Sequence, residues 1–282
     1  MTIHYLFTSD ISLHMLRGFI RGVLALCFAV LVLAIVGYML LGRLAALLVL
    51  FSLALSIWLL KSGWRVLLDM YGCKRASIEE CPVLFRALKE VCERAHTPQP
   101  ELYLMDTPTP NAMAVGRGGE CAAVCVSEPL LELLDEEELR AVLAHEMSHI
   151  MEKDVLFSSS AAIAGIFLAH LGQAFLYSAG EEECGVATMI LGGIMLPVAH
   201  LVVLCGYSRG CEFRADDFSA HLTSKSALSS ALLKTEANAQ LVYINSASAH
   251  LFFSPPIAPK RLKRLFSLHP STAERLRRLD AL

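Results

Sequence analysis

The chain has 282 residues, with 24 Lys and Arg against 27 Asp and Glu, a net charge of −3, 55% hydrophobic residues and only 18% charged ones. Soluble globular chains carry about 25% charged residues, so an ordinary cytosolic enzyme is excluded, as are collagen, a disordered chain and a disulfide-stapled mini-protein. With a mean hydropathy of +0.53 and no basic excess, the class to expect is a membrane protein with no nucleic-acid partner.

The first apolar block, Gly22 to Leu60, holds 39 residues with one charge, Arg43. As one straight helix it would run about 58 Å, twice the ~30 Å hydrocarbon core. It is therefore predicted to fold back near Gly42-Arg43 into spans at 20–41 and 44–60. Its length also argues against a cleaved signal peptide. Trp58 and Trp64 bracket the end of the second span and read as interfacial anchors.

A polar α+β segment follows. Leu84, Leu88, Val91 and Cys92 have helical spacing, which predicts a helix over 78–95. Leu102 to Met105 is a short strand, 106–111 a proline-containing loop, Gly116, Gly118 and Gly119 a turn, and 122–126 a second strand. Asp135 followed by Glu138 is a capping-box start for a helix running through about Lys153. The nine cysteines are odd in number and contain no C-x-x-C pair, so they read as small buried hydrophobes in a reducing compartment.

The second apolar block runs from Val155 to Ser208, and its only charges are Glu181, Glu182 and Glu183 beside Gly180 and Gly185. That predicts spans at 155–177 and 186–207 joined by a short acidic loop. His170 and His200 fall inside these spans and are expected to be neutral and hydrogen-bonded within the bundle. Lys and Arg flank all four spans on one side, so the positive-inside rule puts both termini and segment 61–154 in the cytoplasm. The expected organisation is an N-terminal transmembrane hairpin over 1–66, catalytic parts at 67–154 and 208–282, and a second hairpin over 155–207 between them.

The helix opened by Asp135 carries His145-Glu146-Met147-Ser148-His149, an H-E-x-x-H motif. Residues four apart share a helix face, so both imidazoles can reach one metal ion. Glu146, beside the first of them, can take a proton from a water that the metal activates. Catalytic zinc usually takes three protein ligands, so a third is expected elsewhere. Glu212 and Asp216, four apart on a predicted helix after the fourth span, are the candidates. One can bind zinc while the other accepts a hydrogen bond from a ligating imidazole. The chain between His149 and Glu212 must return to the side it left, which an even number of spans allows.

On Asn111-Ala112-Met113-Ala114, Leu139 to Ile150 around the H-E-x-x-H motif, Ser208-Arg209 with Glu212 and Ala215-Asp216, and His269-Pro270 followed by Arg275, the chain resembles the HtpX-type integral-membrane zinc metallopeptidases, relatives of the CAAX prenyl endopeptidases. The resemblance covers most of 65–282. It implies a mostly helical zincin-like catalytic domain with a small sheet, joined to the four membrane helices, and one zinc per chain. His145, His149 and Glu212 would be the ligands, and Glu146 the general base. Asp216, rather than the adjacent Asp217, would hold a ligating imidazole. Asn111 would hold substrate backbone, His269 would donate to the developing oxyanion, and Arg275 would support that corner. The 122–126 strand would be the edge on which an extended peptide pairs.

The expected function is a multi-pass, bacterial inner-membrane zinc endopeptidase acting at the cytoplasmic face on misfolded or membrane-associated polypeptides. A membrane sensor whose metallopeptidase domain serves one partner is the rival. Prenyl-peptide processing is the weaker alternative, because the extra spans of the CAAX proteases are missing.

Overall fold

The computed structural model describes residues 61–178, 209–238 and 270–282, together with isolated positions between 54 and 202. The spans expected at 20–41, 44–60 and 186–207 therefore lie outside the described residues, isolated positions apart, as do His200 and His269. The chain divides into two compact units, Met1–Trp58 and Leu59–Leu282, and the second carries the fold described below.

After helical residues 61–70 come β1 (Lys74–Arg75), α1 (Pro82–Ala95), β2 (Glu101–Met105), β3 (Ala112–Gly116), β4 (Ala122–Ser127), α2 (Glu128–Leu133) and α3 (Glu136–Met151). Beyond them are α4 (Asp154–Ser178), α5 (Arg209–Leu222), α6 (Lys225–Ala237) and α7 (Thr272–Ala281). The four strands form a mixed sheet in the order β1-β2-β4-β3. β2 and β4 run parallel, and the outer pairs β1–β2 and β3–β4 are antiparallel.

Helices cover both faces of this sheet, and the alternation of strand side chains divides the apolar residues between two cores. Leu102, Ala112, Ala114, Val124 and Val126 face one core with Leu84, Leu88 and Val91 of α1 and Val142, Leu143 and Met147 of α3. Met105, Met113, Val115, Ala123 and Cys125 face the other, with Trp64, Leu67 and Leu68 and with Ala162, Ile163 and Ile166 of α4. Trp64 is thus only 6% exposed and is a core residue. Its indole belongs to the sheet packing, and the expectation of an interfacial anchor is corrected.

Several local expectations hold. α1 buries Leu84, Leu88, Val91 and Cys92, and it begins at Pro82 because proline at N1 gives up no amide the helix needs. Asp135 and Glu138 form a full capping box at the start of α3, worth about 0.5–2 kcal/mol. Glu138 reaches further: Ser230 and Lys234 of α6 donate to its two oxygens at 2.6 and 2.7 Å.

The sheet departs from expectation at β3 and β4. Ala112–Gly116 is a strand although its alanines and terminal glycine carry little β propensity. Because β3 adds outside β4, the 122–126 strand has a partner on each side and cannot be a free edge; β3 is the edge. Gly116 closes β3 at φ 139, where an added Cβ would lie 2.5 Å from the Cys121 carbonyl.

α3 stops at Met151, short of Lys153, because Lys153 turns left-handed at φ 62. That turn lets α4 begin at once, at Asp154. α4 covers the third expected span, with side chains described as far as His170, whose Nδ1 lies 2.8 Å from the Ile166 carbonyl oxygen. Among the described residues no helix is long and apolar enough to cross a membrane.

Candidate metal centre

α3 and α5 pack closely because Ala141, Ala144 and Ala215 present little more than backbone, and Ser219 donates 2.6 Å to the Ala141 carbonyl. The contact brings His145 and His149 on α3 opposite Glu212 on α5, although His149 and Glu212 lie 63 positions apart in the chain. One ligand atom from each lies within 4.8 Å of the others. His145 Nε2 and His149 Nε2 are 3.3 Å apart, Glu212 Oε1 is 3.5 Å from His149 Nε2, and Glu212 Oε2 is 3.7 Å from His145 Nε2.

A tetrahedral zinc with nitrogen and oxygen ligands at 2.0–2.2 Å requires ligand atoms about 3.3–3.6 Å apart. The observed spacing is close to that requirement. The charges agree, since Glu146, Glu212 and Asp216 are buried against one buried cation, Arg275. With all three carboxylates ionised and both imidazoles neutral, as metal ligation requires, two negative charges are left over, the complement of a divalent ion.

Each imidazole has its own carboxylate. Asp216 Oδ1 is 3.0 Å from His145 Nδ1, and Arg275 Nη2 is 3.3 Å from the same nitrogen. An ionised carboxylate can only accept, so the tautomer that carries its proton on Nδ1 donates to Asp216 and leaves Nε2 for a metal; Arg275 then neutralises Asp216 and makes no hydrogen bond to the ring. Arg275, brought in by α7, holds Asp216 with two hydrogen bonds of 2.8 and 2.5 Å. It also lies 3.7 Å from Glu212. The neighbouring Asp217 faces away from this cluster to pair with Arg278 at 2.9 Å. On His149, Nδ1 is 3.4 Å from Asp154 Oδ2.

The surroundings push the titrating groups apart. Burial, reinforced by Arg275, lowers His145 to about 4. His149 is mostly buried, with 15% of its side chain exposed, and Asp154 and Glu212 outweigh the desolvation and raise it to about 10. Burial lifts Glu146 to about 7, helped by Glu212 and opposed by His149. The Ala114 backbone amide also bonds to the Glu146 carboxylate, which ties the general-base candidate to strand β3.

Asn111 opens that strand and is 2% exposed. Its Oδ1 accepts from the Ala112 amide at 3.0 Å, and its own amide donates to Ser127 Oγ at 2.8 Å. His269 lies outside the described residues. Asp154 is a residue that the motif spacing did not point to. The available signal was an acid placed five residues after His149, at the mouth of an apolar stretch.

Comparison with known proteins agrees with this geometry. The model of peptidase family M48 matches residues 82–282. A protein named Protease HtpX homolog from Aquifex aeolicus is 39% identical over 233 residues, 77% of each chain. Another of that name, from Pelotomaculum thermopropionicum, is 35% identical over 265 residues, 89% of this chain and 94% of its own. The crystal structure of S. mikatae Ste24p superposes with a TM-score of 0.52, covering 96% of this chain and 67% of that one at 16% identity. At that identity the likeness is one of fold.

Proposed function

The chain belongs to peptidase family M48, and from this premise we propose that it is a membrane-integrated zinc endopeptidase cleaving misfolded or membrane-associated proteins at the cytoplasmic face, in protein quality control. The observation that carries the reading is the convergence of His145, His149 and Glu212 at zinc-ligand spacing beside a buried glutamate. Membrane integration rests on the two apolar blocks, read as four spans in two hairpins, with the second hairpin inserted between the ligands. The side of the membrane rests on the Lys and Arg flanks. The bacterial inner membrane is the setting that the resemblance implies.

His145, His149 and Glu212 would hold the zinc. When bound, zinc supplies Lewis-acid polarisation of the scissile carbonyl and acidifies the attacking water. Every other task falls to side chains and amides. Glu146 takes the water proton and passes it to the leaving amine, and the Ala114 amide keeps its carboxylate aimed. Asp216 fixes the Nδ1–H tautomer of His145, and Arg275 balances Asp216 and Glu212. His269 donates to the developing oxyanion, a role worth about 10²–10³ in rate. Asn111 holds substrate backbone.

The test compares purified wild type with Glu146→Gln, each supplied with zinc, on an unfolded casein-like substrate. Wild type should cleave, and Glu146→Gln should bind equal zinc while losing about 10²–10⁴ in rate. Substantial proteolysis by Glu146→Gln would remove that residue from the base role. Strict dependence on one partner protein would favour the sensor reading.

A further inference from the structure

The loop between α3 and α4 is only two residues long, Glu152 and Lys153, and it does not follow helical geometry. Lys153 sits at φ 62, a conformation that side chains other than glycine rarely adopt. Such strain persists only where surrounding structure enforces it, and it collects at working sites. Its effect here is to swing the first residue of α4, Asp154, back toward the helix just completed. Asp154 Oδ2 then lies 3.4 Å from His149 Nδ1.

Two groups of α5 hold Asp154 from the other side. The Cys211 thiol is hydrogen-bonded to it, and Arg214 Nη2 is 3.8 Å away. Arg214 is itself fixed to Glu152 at 2.7 Å and to Cys211 Sγ at 3.2 Å. The carboxylate is therefore clamped between the turn and the helix that delivers Glu212. A carboxylate can only accept a hydrogen bond, so the His149 tautomer that satisfies it carries its proton on Nδ1 and turns Nε2 toward His145 and Glu212.

We propose that Asp154 is the positioning residue for His149, the counterpart of Asp216 for His145, and that through it the start of α4 sets the second metal ligand. This inference rests on the zinc-peptidase reading above. It adds that α4, the helix that packs on the sheet through Ala162, Ile163 and Ile166, is anchored directly to the metal site. A displacement of that helix at its cytoplasmic end moves the ligand.

The experiment measures zinc affinity of the full chain in mild detergent, by competition with a chromophoric chelator. Asp154→Ala should weaken zinc binding about 10–100-fold. Asp154→Asn keeps an acceptor oxygen and should recover at least about threefold of that loss, a rescue that a merely structural role does not give. Lys153→Gly accepts positive φ without steric cost and keeps the carboxylate, so it should stay within about threefold of wild type. Zinc-loaded wild type labelled with ¹⁵N-histidine gives a readout that needs no variant: His149 should be protonated on Nδ1 and coordinated through Nε2. Wild-type affinity in Asp154→Ala, equal losses in the Ala and Asn variants, a loss in Lys153→Gly as large as in Asp154→Ala, or an unprotonated His149 Nδ1 overturns the inference. A wild type that takes up no zinc overturns the zinc-peptidase reading itself.

Discussion

Replacing Arg275 with methionine removes the only buried cation among the described residues around the cluster while keeping most of the side-chain volume. Arg275 is 2% exposed and Asp216 1% exposed, so solvent does little to screen their pair. The two hydrogen bonds to Asp216 are lost together, and Glu212 loses a cation 3.7 Å away. Breaking a buried ion pair from one side costs about 3–5 kcal/mol, because the remaining charge stays in low dielectric. That is a large part of the 5–15 kcal/mol typical of a whole domain.

The assay is equilibrium unfolding of the detergent-solubilised chain, with Asp216→Leu/Arg275→Met as the companion variant. Removing both charges takes away the stranded Asp216 carboxylate and leaves only Glu212, 3.7 Å from the lost guanidinium, short of a cation. The double variant should therefore be more stable than Arg275→Met, short of wild type by about the 1–2 kcal/mol that His145 loses with its acceptor. A cost below about 1 kcal/mol for Arg275→Met, or a double variant no better than the single one, would refute the argument that this pair holds α7 against α5.

Glu212→Ala should lower the zinc bound per chain, measured by elemental analysis after dialysis, and unchanged metal content removes Glu212 from the ligand set. Gly116→Ala should destabilise the sheet by about 1–3 kcal/mol, since its Cβ would strike the Cys121 carbonyl at 2.5 Å; an unchanged unfolding midpoint contradicts that contact. Glu138 is buried, but the hydrogen bonds from Lys234, Ser230 and the Asp135 amide hold its carboxyl below the ordinary glutamate value. Its stabilisation is therefore complete above the unfolded-state pKa of about 4.3 and is lost as pH falls through the lower folded value. Glu138→Gln should cost about 1–2 kcal/mol at pH 7 and progressively less below about pH 4. A wild-type-to-variant difference that stays constant with pH would contradict the sign.

Local rules made α3 legible. Asp135, Glu138 and the i,i+4 histidines need only helical periodicity to be placed. Glu212 and Asp216 were readable as a pair for the same reason, although spacing alone did not say which faces the metal. Asp154 was not readable, because at i+5 from His149 it lies off the helical face that carries the ligands. It reaches the imidazole only through the left-handed turn at Lys153, which no helical pattern encodes. The sheet order was hidden for a different reason. β2 pairs in parallel with β4 and passes over β3, a non-local choice, and the Ala-Met-Ala-Val-Gly of β3 carries neither β-branched enrichment nor alternation. The family resemblance supplied Arg275 and Asn111; periodicity alone would have left both as ordinary polar residues.

Arg275 also has a temporal consequence. The ribosome makes His145, Glu146 and His149 first, Glu212 and Asp216 some 60 residues later, and Arg275 59 residues after Asp216. Throughout that interval the nascent chain holds acidic groups whose burial is unfavourable without their guanidinium. The cleft can settle into its working charge balance only once α7 has emerged and docked.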